Sequence, residues 1–251
     1  ELDFHLCKKQ QVSSIYLPNF EFVNKFPESS RFKILRSIKM QADSLDSQLK
    51  KNNIEDTDFI KLDTQGSELS ILQGGVNTLK NIIGIEIEVE FVELYKKQPL
   101  FNEIDIFMKK NGFQLYDLRR YFWRTHEEDN YYGNQKGQLV FGEALYFRPP
   151  EQVIPVEGFT KEKIIRAIFI YLVYGYPGLS KELLNAGSKT KLLPKETCDK
   201  ILSIILKYRK SGFKLPDFKG KGRVLRMAHK MANIFAPNNN WYCGTDESIG
   251  N

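Results

Sequence analysis

The chain has 251 residues, of which 41% are hydrophobic and 13% aromatic, so it is long and apolar enough to fold around a sizeable core. The net charge is +6, and the three cysteines (Cys7, Cys198 and Cys243) lack the spacing of a zinc site or a disulfide framework. This cysteine usage is typical of a reducing compartment, and we expect a cytoplasmic protein.

Neither a membrane span nor a signal peptide is visible. The most apolar window, IIRAIFIYLVYGY from Ile164, contains Arg166 and is much shorter than the ~20 residues that a spanning helix needs. The sequence begins with Glu1 rather than methionine, and we expect that it is a fragment or that something upstream was removed.

The first 150 residues alternate between strand and helix patterns, which predicts an α/β sheet. Helices are expected from a Ser44 cap, from Ser67, and over 100–112 with Gly112 as the C-cap. The predicted strands are 31–40, 58–62, 82–91, 112–118 and 142–148.

Charge and composition change at Pro149 and Pro150. Residues 1–150 carry 20 basic and 22 acidic side chains, whereas residues 151–251 carry 17 and 9. Helical periodicity follows this point, from a Thr160 cap to Tyr174, after Pro194, and through RVLRMAHKMANIF. We therefore expect an α/β domain over 1–150 and a basic α-helical extension over 151–251.

The stretch DFIKLDTQGSEL, which starts at residue 58, places an acidic side chain where a strand ends. A parallel strand ending at Asp63 would bring its carboxylate to the ligand-binding edge of the sheet. Gly66 indicates a turn with positive φ or a close approach to a ligand. Alternatively, Asp63 satisfies the backbone of the turn. Glu68 is either a site residue or a complement to the dipole of the following helix.

Three glutamates alternate with apolar residues along the strand 82–91, namely Glu86, Glu88 and Glu90. Carboxylates on one face of a covered strand are costly to bury unless they are paired, protonated or near the open end of the sheet. They could act as a general base, bind a hydroxyl or ligate a hard metal ion beside Asp63. The alternative is an ion pair with Lys61 or an arginine.

The segments DFIKLDTQGSELSILQGG and IGIEIEVEFVELYKKQPLFNEIDIFMKKNGFQLYDL together resemble the FkbM family of S-adenosylmethionine-dependent methyltransferases. SSIYLPN (13–19) and MQADSLDSQL (40–49) are similar to upstream family segments, so the resemblance covers about residues 10–148. It implies a class I methyltransferase-like (Rossmann-like) fold, with a mostly parallel sheet and an antiparallel last strand.

In such enzymes a glycine-rich loop and an acidic residue in the N-terminal half hold the cofactor, S-adenosylmethionine. No GxGxG-like loop occurs in this sequence. We therefore expect that the N-terminal strands are missing and that the chain starts after the cofactor-binding half. Whether a metal takes part is left open, and we assign no metal ligand.

The resemblance implies site roles for nine residues. Asp63 and Glu88 are the candidate catalytic residues. Asp63, Gln65 and Gly66 would lie on the cofactor side. The candidates for the substrate side are Ser13, Ser14, Glu90, Tyr95 and Gln98.

The expected function is S-adenosylmethionine-dependent O-methylation of a hydroxyl, on a glycan or a glycosylated metabolite. The alternative is a non-catalytic half-domain that binds a partner subunit or an anionic ligand, and a homo-oligomer or a completing subunit would cover the exposed sheet edge. The basic stretch from Lys207 to Lys230 could attract nucleic acid, anionic lipid or a phosphorylated glycan, or be a solvated helix face.

Overall fold

The computed structural model describes residues 1–127, 137–154, 159–208, 216, 218–235, 243–245 and 249. The strands are β1 Leu2–Cys7, β2 Ile34–Met40, β3 Phe59–Leu62, β4 Gly84–Glu90, β5 Gln114–Trp123, β6 Gln138–Phe147 and β7 Cys243–Thr245. The helices are α1 Phe20–Val23, α2 Leu45–Lys51, α3 Glu68–Gln73, α4 Val76–Leu79, α5 Phe101–Lys110, α6 Pro150–Val153, α7 Lys161–Val173, α8 Pro177–Lys189, α9 Lys195–Tyr208 and α10 Lys221–Phe235.

The main sheet has five strands in the order β3-β4-β6-β5-β7, while β1 and β2 form a separate antiparallel ribbon. Strands β3 and β4 are parallel, and every other pairing in the main sheet is antiparallel. Within the described residues the sheet is therefore mixed, and a mostly parallel sheet is not confirmed. Strand β6 lies between β4 and β5 and is antiparallel to both, and β5 and β6 are consecutive in the chain.

Both faces of the main sheet are covered by helices. Ile85, Ile87 and Val89 of β4 point to one face and pack with side chains from α3, α4 and α5. Leu145 and Phe147 of β6 point to the other face, where they share a core with α6, α7, α8 and α9. The C-terminal helices thus pack directly on the sheet, and the boundary at residue 150 stays a prediction.

The helix ends explain where the predicted pattern holds and where it does not. Ser44 and Thr160 cap α2 and α7, each accepting from a backbone N–H three residues on, as predicted. The helix expected from Ser67 divides at Gly74 and Gly75 into α3 and α4. Helix α8 was not predicted, because Pro177 reads as a break although it occupies the first turn of a new helix.

The segment before β2 crosses over the sheet at the carboxyl ends of β3 and β4. Its Val23, Phe26 and Phe32 form a buried cluster with Tyr95, Trp123 and neighbouring side chains. A backbone bridge also joins Pro18 to Tyr95. This crossing places residues 13–18 against the ends of the two parallel strands. No helix within the described part of the chain is long and apolar enough to span a membrane.

Candidate functional site

The loop that follows β3 is held in an unusual backbone conformation by Glu68. Gln65 has a φ of 57° and Gly66 a φ of 103°, so both lie in the left-handed region. The buried Glu68 carboxylate accepts from the backbone N–H of Thr64 at 2.6 Å and from that of Gly66 at 2.9 Å. Glu68 is therefore the internal anchor of the loop, and burial raises its pKa.

Within this loop, the Gln65 side chain joins the two candidate catalytic carboxylates. Its amide nitrogen donates to Asp63 Oδ1 at 3.0 Å and to Glu88 Oε1 at 2.8 Å. Asp63 is exposed and Glu88 is half-buried. The two acids lie near the carboxyl ends of the neighbouring parallel strands β3 and β4, and both hydrogen-bond to the same amide nitrogen.

Two further groups fix Gln65 from the opposite side. The Tyr95 hydroxyl, which is fully buried, lies 2.8 Å from Gln65 Oε1 and 3.0 Å from the Val12 carbonyl. The Ser14 hydroxyl donates to the Gln65 carbonyl at 2.6 Å. Since an amide oxygen only accepts, the bond from Tyr95 sets the amide nitrogen towards the carboxylates.

Behind this chain of hydrogen bonds lies a second buried acid. Glu90 has no exposed surface, and neither of its carboxyl oxygens has a hydrogen-bond partner among the described residues. Burial, and next the charge of Glu68, raise the pKa of Glu90 to about 8. Gln98 lies close enough to Glu90 to lower this pKa in part. Even so, Gln98 Nε2 has no hydrogen-bond partner in the described part of the chain.

The charge of the cluster changes the proton affinity of Glu88 as well. Burial is the first cause and the Asp63 charge the second, and together they raise the pKa of Glu88 well above its ordinary value. A carboxylate with a raised pKa is a stronger base near neutral pH. The arrangement can therefore accept a proton at Glu88 while the exposed Asp63 faces solvent.

Glu86, the first glutamate of the stripe, lies apart from this site. It accepts from Lys61 Nζ at 2.5 Å and from the Tyr174 hydroxyl at 3.0 Å. The alternative of an ion pair with Lys61 is therefore confirmed for Glu86. Tyr174 follows α7 directly, so the C-terminal helices contact the same face of β4 that carries Glu88.

The structure thus brings together Asp63, Gln65, Gly66, Glu88, Tyr95 and Ser14, with Glu90 and Gln98 buried behind them. Ser13 is buried but is not part of this group, because its hydroxyl accepts from the Cys7 N–H at 3.1 Å. Sequence reasoning missed the anchoring role of Glu68 and its bond to Thr64. The sequence signal for it is an acid four residues after a threonine, across a glycine turn.

From the sequence, the loop between the last two strands carries aromatic residues that could stack on a sugar ring or anchor the loop, namely Tyr121, Phe122, Trp123, Tyr131 and Tyr132. Trp123 is buried in the cluster under the N-terminal segment, and Tyr121 stacks on Phe141, so both pack against other aromatic rings. Tyr131 and Tyr132 lie outside the described residues. Within the described part of the chain, no group of three or more His, Cys, Asp or Glu side chains is placed to hold a metal ion.

Comparison with known proteins supports one family. Residues 2–115, a little under half of the chain, match the family model described as the Methyltransferase FkbM domain. Searches of the curated proteins and of the solved structures gave no match. The matched segment contains β3, β4 and every residue of the candidate site. The match identifies residues 2–115 as a methyltransferase FkbM domain, in agreement with the resemblance seen in the sequence.

Proposed function

We propose that this chain carries the acceptor side of an S-adenosylmethionine-dependent O-methyltransferase that acts on a hydroxyl of a glycan or a glycosylated metabolite. The observation that carries the proposal is the Asp63–Gln65–Glu88 hydrogen-bonded group, which lies at the carboxyl ends of two parallel strands within the matched segment. Ligands of open α/β sheets bind at such strand ends.

The residues present fit one end of the methyl donor. S-adenosylmethionine carries a positive sulfonium and an ammonium group, and the exposed carboxylate of Asp63 suits either charge. The sequence contains no GxGxG-like loop of the kind that would hold the nucleoside end. Gly66 does not widen the site, since a Cβ there would meet Gln98 Cβ and Tyr16 Cδ2, each at 3.3 Å.

The side chains divide into two roles. When bound, the donor would supply the methyl group. Glu88, whose pKa is raised, would receive the proton of the acceptor hydroxyl as that oxygen becomes nucleophilic. Gln65, Tyr95 and Ser14 would keep the two carboxylates in place, which matters because positioning dominates a displacement reaction.

The donor site is tested by calorimetric titration of the chain with S-adenosylmethionine and with S-adenosylhomocysteine. We expect micromolar binding that Asp63→Ala weakens at least about tenfold, which is the loss of one charged contact. Asp199→Ala, which removes an exposed carboxylate on α9, is the matched control. No heat at millimolar ligand would show that the chain alone has no donor site.

The acceptor role has its own test. With labelled S-adenosylmethionine, transfer to sugar nucleotides or glycans should be lost in Glu88→Gln, while donor binding stays unchanged. If Glu88→Gln transfers the label as fast as the unmodified chain, Glu88 is not the base. Methylation of an acceptor that lacks a free hydroxyl would contradict the substrate class.

One observation favours a second function. Strand β3 pairs only with β4 within the described residues, so its other edge is open to pairing. A non-catalytic half-domain that binds a second subunit, or a second copy of itself, through this edge would also account for the missing glycine-rich loop. An assembly that fails to bind the donor even when the partner is present would support this alternative.

A further inference from the structure

Helix α10 presents apolar side chains to solvent over a wide arc. Val224, Leu225, Met227 and Met231 are between 53% and 66% exposed. No described residue of α10 is buried or belongs to a hydrophobic cluster of the described part of the chain. At 100° per residue, these four apolar residues span an arc of about 160° from Met227 to Leu225, and the only other described side chains within it are Ala228 and Lys221 of the first turn.

The remaining side of α10 is basic. Arg223 and Arg226 are both exposed and lie about 60° apart around the helix axis. Arg226 is roughly opposite Val224. The sequence of α10 contains no Asp or Glu. Just before the helix, Phe218 and Lys219 are also exposed and extend the same mixture of apolar and basic groups.

We propose that α10 binds the surface of a membrane that contains anionic phospholipids. The helix would lie in the plane of the surface, with its apolar arc among the upper acyl chains and its arginines against lipid phosphates. Helices of this kind combine a strongly apolar face, a basic polar face and low overall hydrophobicity. The surplus of 17 basic over 9 acidic residues in 151–251 favours the same surface.

Nucleic acid is a poorer partner for this helix. Phosphodiesters would neutralise Arg223 and Arg226 but leave Val224, Leu225 and Met231 in water. A planar lipid surface accepts both sets of side chains at once, because its phosphates lie directly above its acyl chains. The width of the apolar arc also suits a flat surface better than a narrow groove.

The test is flotation of the full chain with vesicles of phosphatidylcholine alone or mixed with phosphatidylserine. We expect binding to the mixed vesicles only. R223E/R226E should weaken that binding about thirtyfold or more, since each basic residue near an anionic surface contributes about 1 kcal/mol. L225S/M227S should weaken it about tenfold or more, because both side chains lose their burial among acyl chains.

Two control variants match these changes in charge and apolar surface. K181E/K189E reverses two exposed lysines of α8, and I106S/V173S replaces two exposed apolar residues of α5 and α7. Neither should alter binding by more than about twofold, because these sites lie outside the proposed surface. Circular dichroism of each variant checks that it is folded.

Three results would overturn the proposal. The first is failure of the unmodified chain to float with the mixed vesicles. The second is an effect of R223E/R226E no larger than that of K181E/K189E. The third is binding that L225S/M227S leaves intact, particularly if a DNA duplex competes for it, since this would indicate a purely electrostatic partner.

Discussion

The buried hydroxyl of Tyr95 lies 2.8 Å from the side-chain oxygen of Gln65, a residue thirty positions earlier in the sequence. This contact orients the amide whose nitrogen holds Asp63 and Glu88. Tyr95 touches neither carboxylate in this chain of bonds, yet it determines which end of the amide faces them.

Tyr95→Phe should lower the free energy of unfolding by about 1–2 kcal/mol, because it removes the single O–H that lies within hydrogen-bond distance of both Gln65 Oε1 and the Val12 carbonyl. Urea denaturation measures the change. Tyr116→Phe is the control, since no hydrogen bond of its hydroxyl is found among the described residues. Equal effects of the two substitutions would contradict the orienting role of Tyr95.

Gly66→Ala should destabilise the fold by about 2–3 kcal/mol, because its φ of 103° disfavours a Cβ that would also crowd Gln98 and Tyr16. Gly178→Ala is the matched control. A Cβ at Gly178 meets nothing within 4 Å, so this change in α8 should be neutral or stabilise the protein by up to about 1 kcal/mol. Thermal unfolding of both variants compares the sites, and a neutral Gly66→Ala would show that the loop adapts.

The buried acid Glu90 should make stability depend on pH. Its pKa rises from an ordinary 4.5 to about 8 in the folded chain, so the protonated form is favoured by folding. The favourable contribution is therefore complete below about pH 4.5, falls as pH rises, and is lost above about pH 8. The difference between these limits is on the order of 5 kcal/mol.

Glu90→Gln should reduce this dependence and leave only the part due to Glu68 and Glu88, whose pKa values burial also raises. The variant and the unmodified chain should have similar unfolding free energies at about pH 4.5, whereas the variant should be the more stable above about pH 8. Urea denaturation across this range provides the measurement, with Glu55→Gln as an exposed control. A parallel pH dependence in the two proteins would show that Glu90 is not the titrating group.

Lys163 ties α7 to the segment that leads into β3. Its side chain is only 5% exposed, and Nζ donates to Asp56 Oδ1 at 2.7 Å and to Asp58 Oδ1 at 3.1 Å. Lys163→Met should lower the free energy of unfolding by about 1–2 kcal/mol. This is less than the loss expected on breaking a fully buried ion pair, because Arg166 still contacts both aspartates.

Lys200→Met on α9 is the control for that change. Lys200 pairs with Glu196 at 2.7 Å, but both side chains are largely exposed, so the loss should stay below about 0.5 kcal/mol. Chemical denaturation distinguishes the two variants. If Lys163→Met is as mild as Lys200→Met, the cluster with Asp56 and Asp58 does not help to hold α7 on the sheet.

The placement of Asp63 and Glu88 could be predicted from the sequence, because strand ends and side-chain alternation are local properties. The parallel pairing of β3 and β4 then brought the two carboxylates together. The fate of Glu86 could not be predicted in full, since its second partner, Tyr174, lies 88 positions away. Periodicity likewise places Glu90 on one face of β4, but it does not show whether a hydrogen-bond partner for its carboxyl group lies on that face.

The prediction of the helices from the sequence has a similar limit. Thr160 has a recognisable capping pattern, and α7 begins after it as expected. Pro177 has two opposite meanings, the end of one helix or the first turn of the next, and only packing decides between them. The antiparallel position of β6 between β4 and β5 is a long-range choice of the same kind.

The contact of Tyr174 with Glu86 has a consequence for the evolution of this protein. The helices beyond residue 150 cover Leu145 and Phe147 and bond to the strand that carries Glu88. An exchange of this extension for an unrelated one would expose the sheet and leave Glu86 with Lys61 as its remaining partner. The matched segment and its helices are therefore expected to be inherited as one unit, with substitutions on either side compensated on the other.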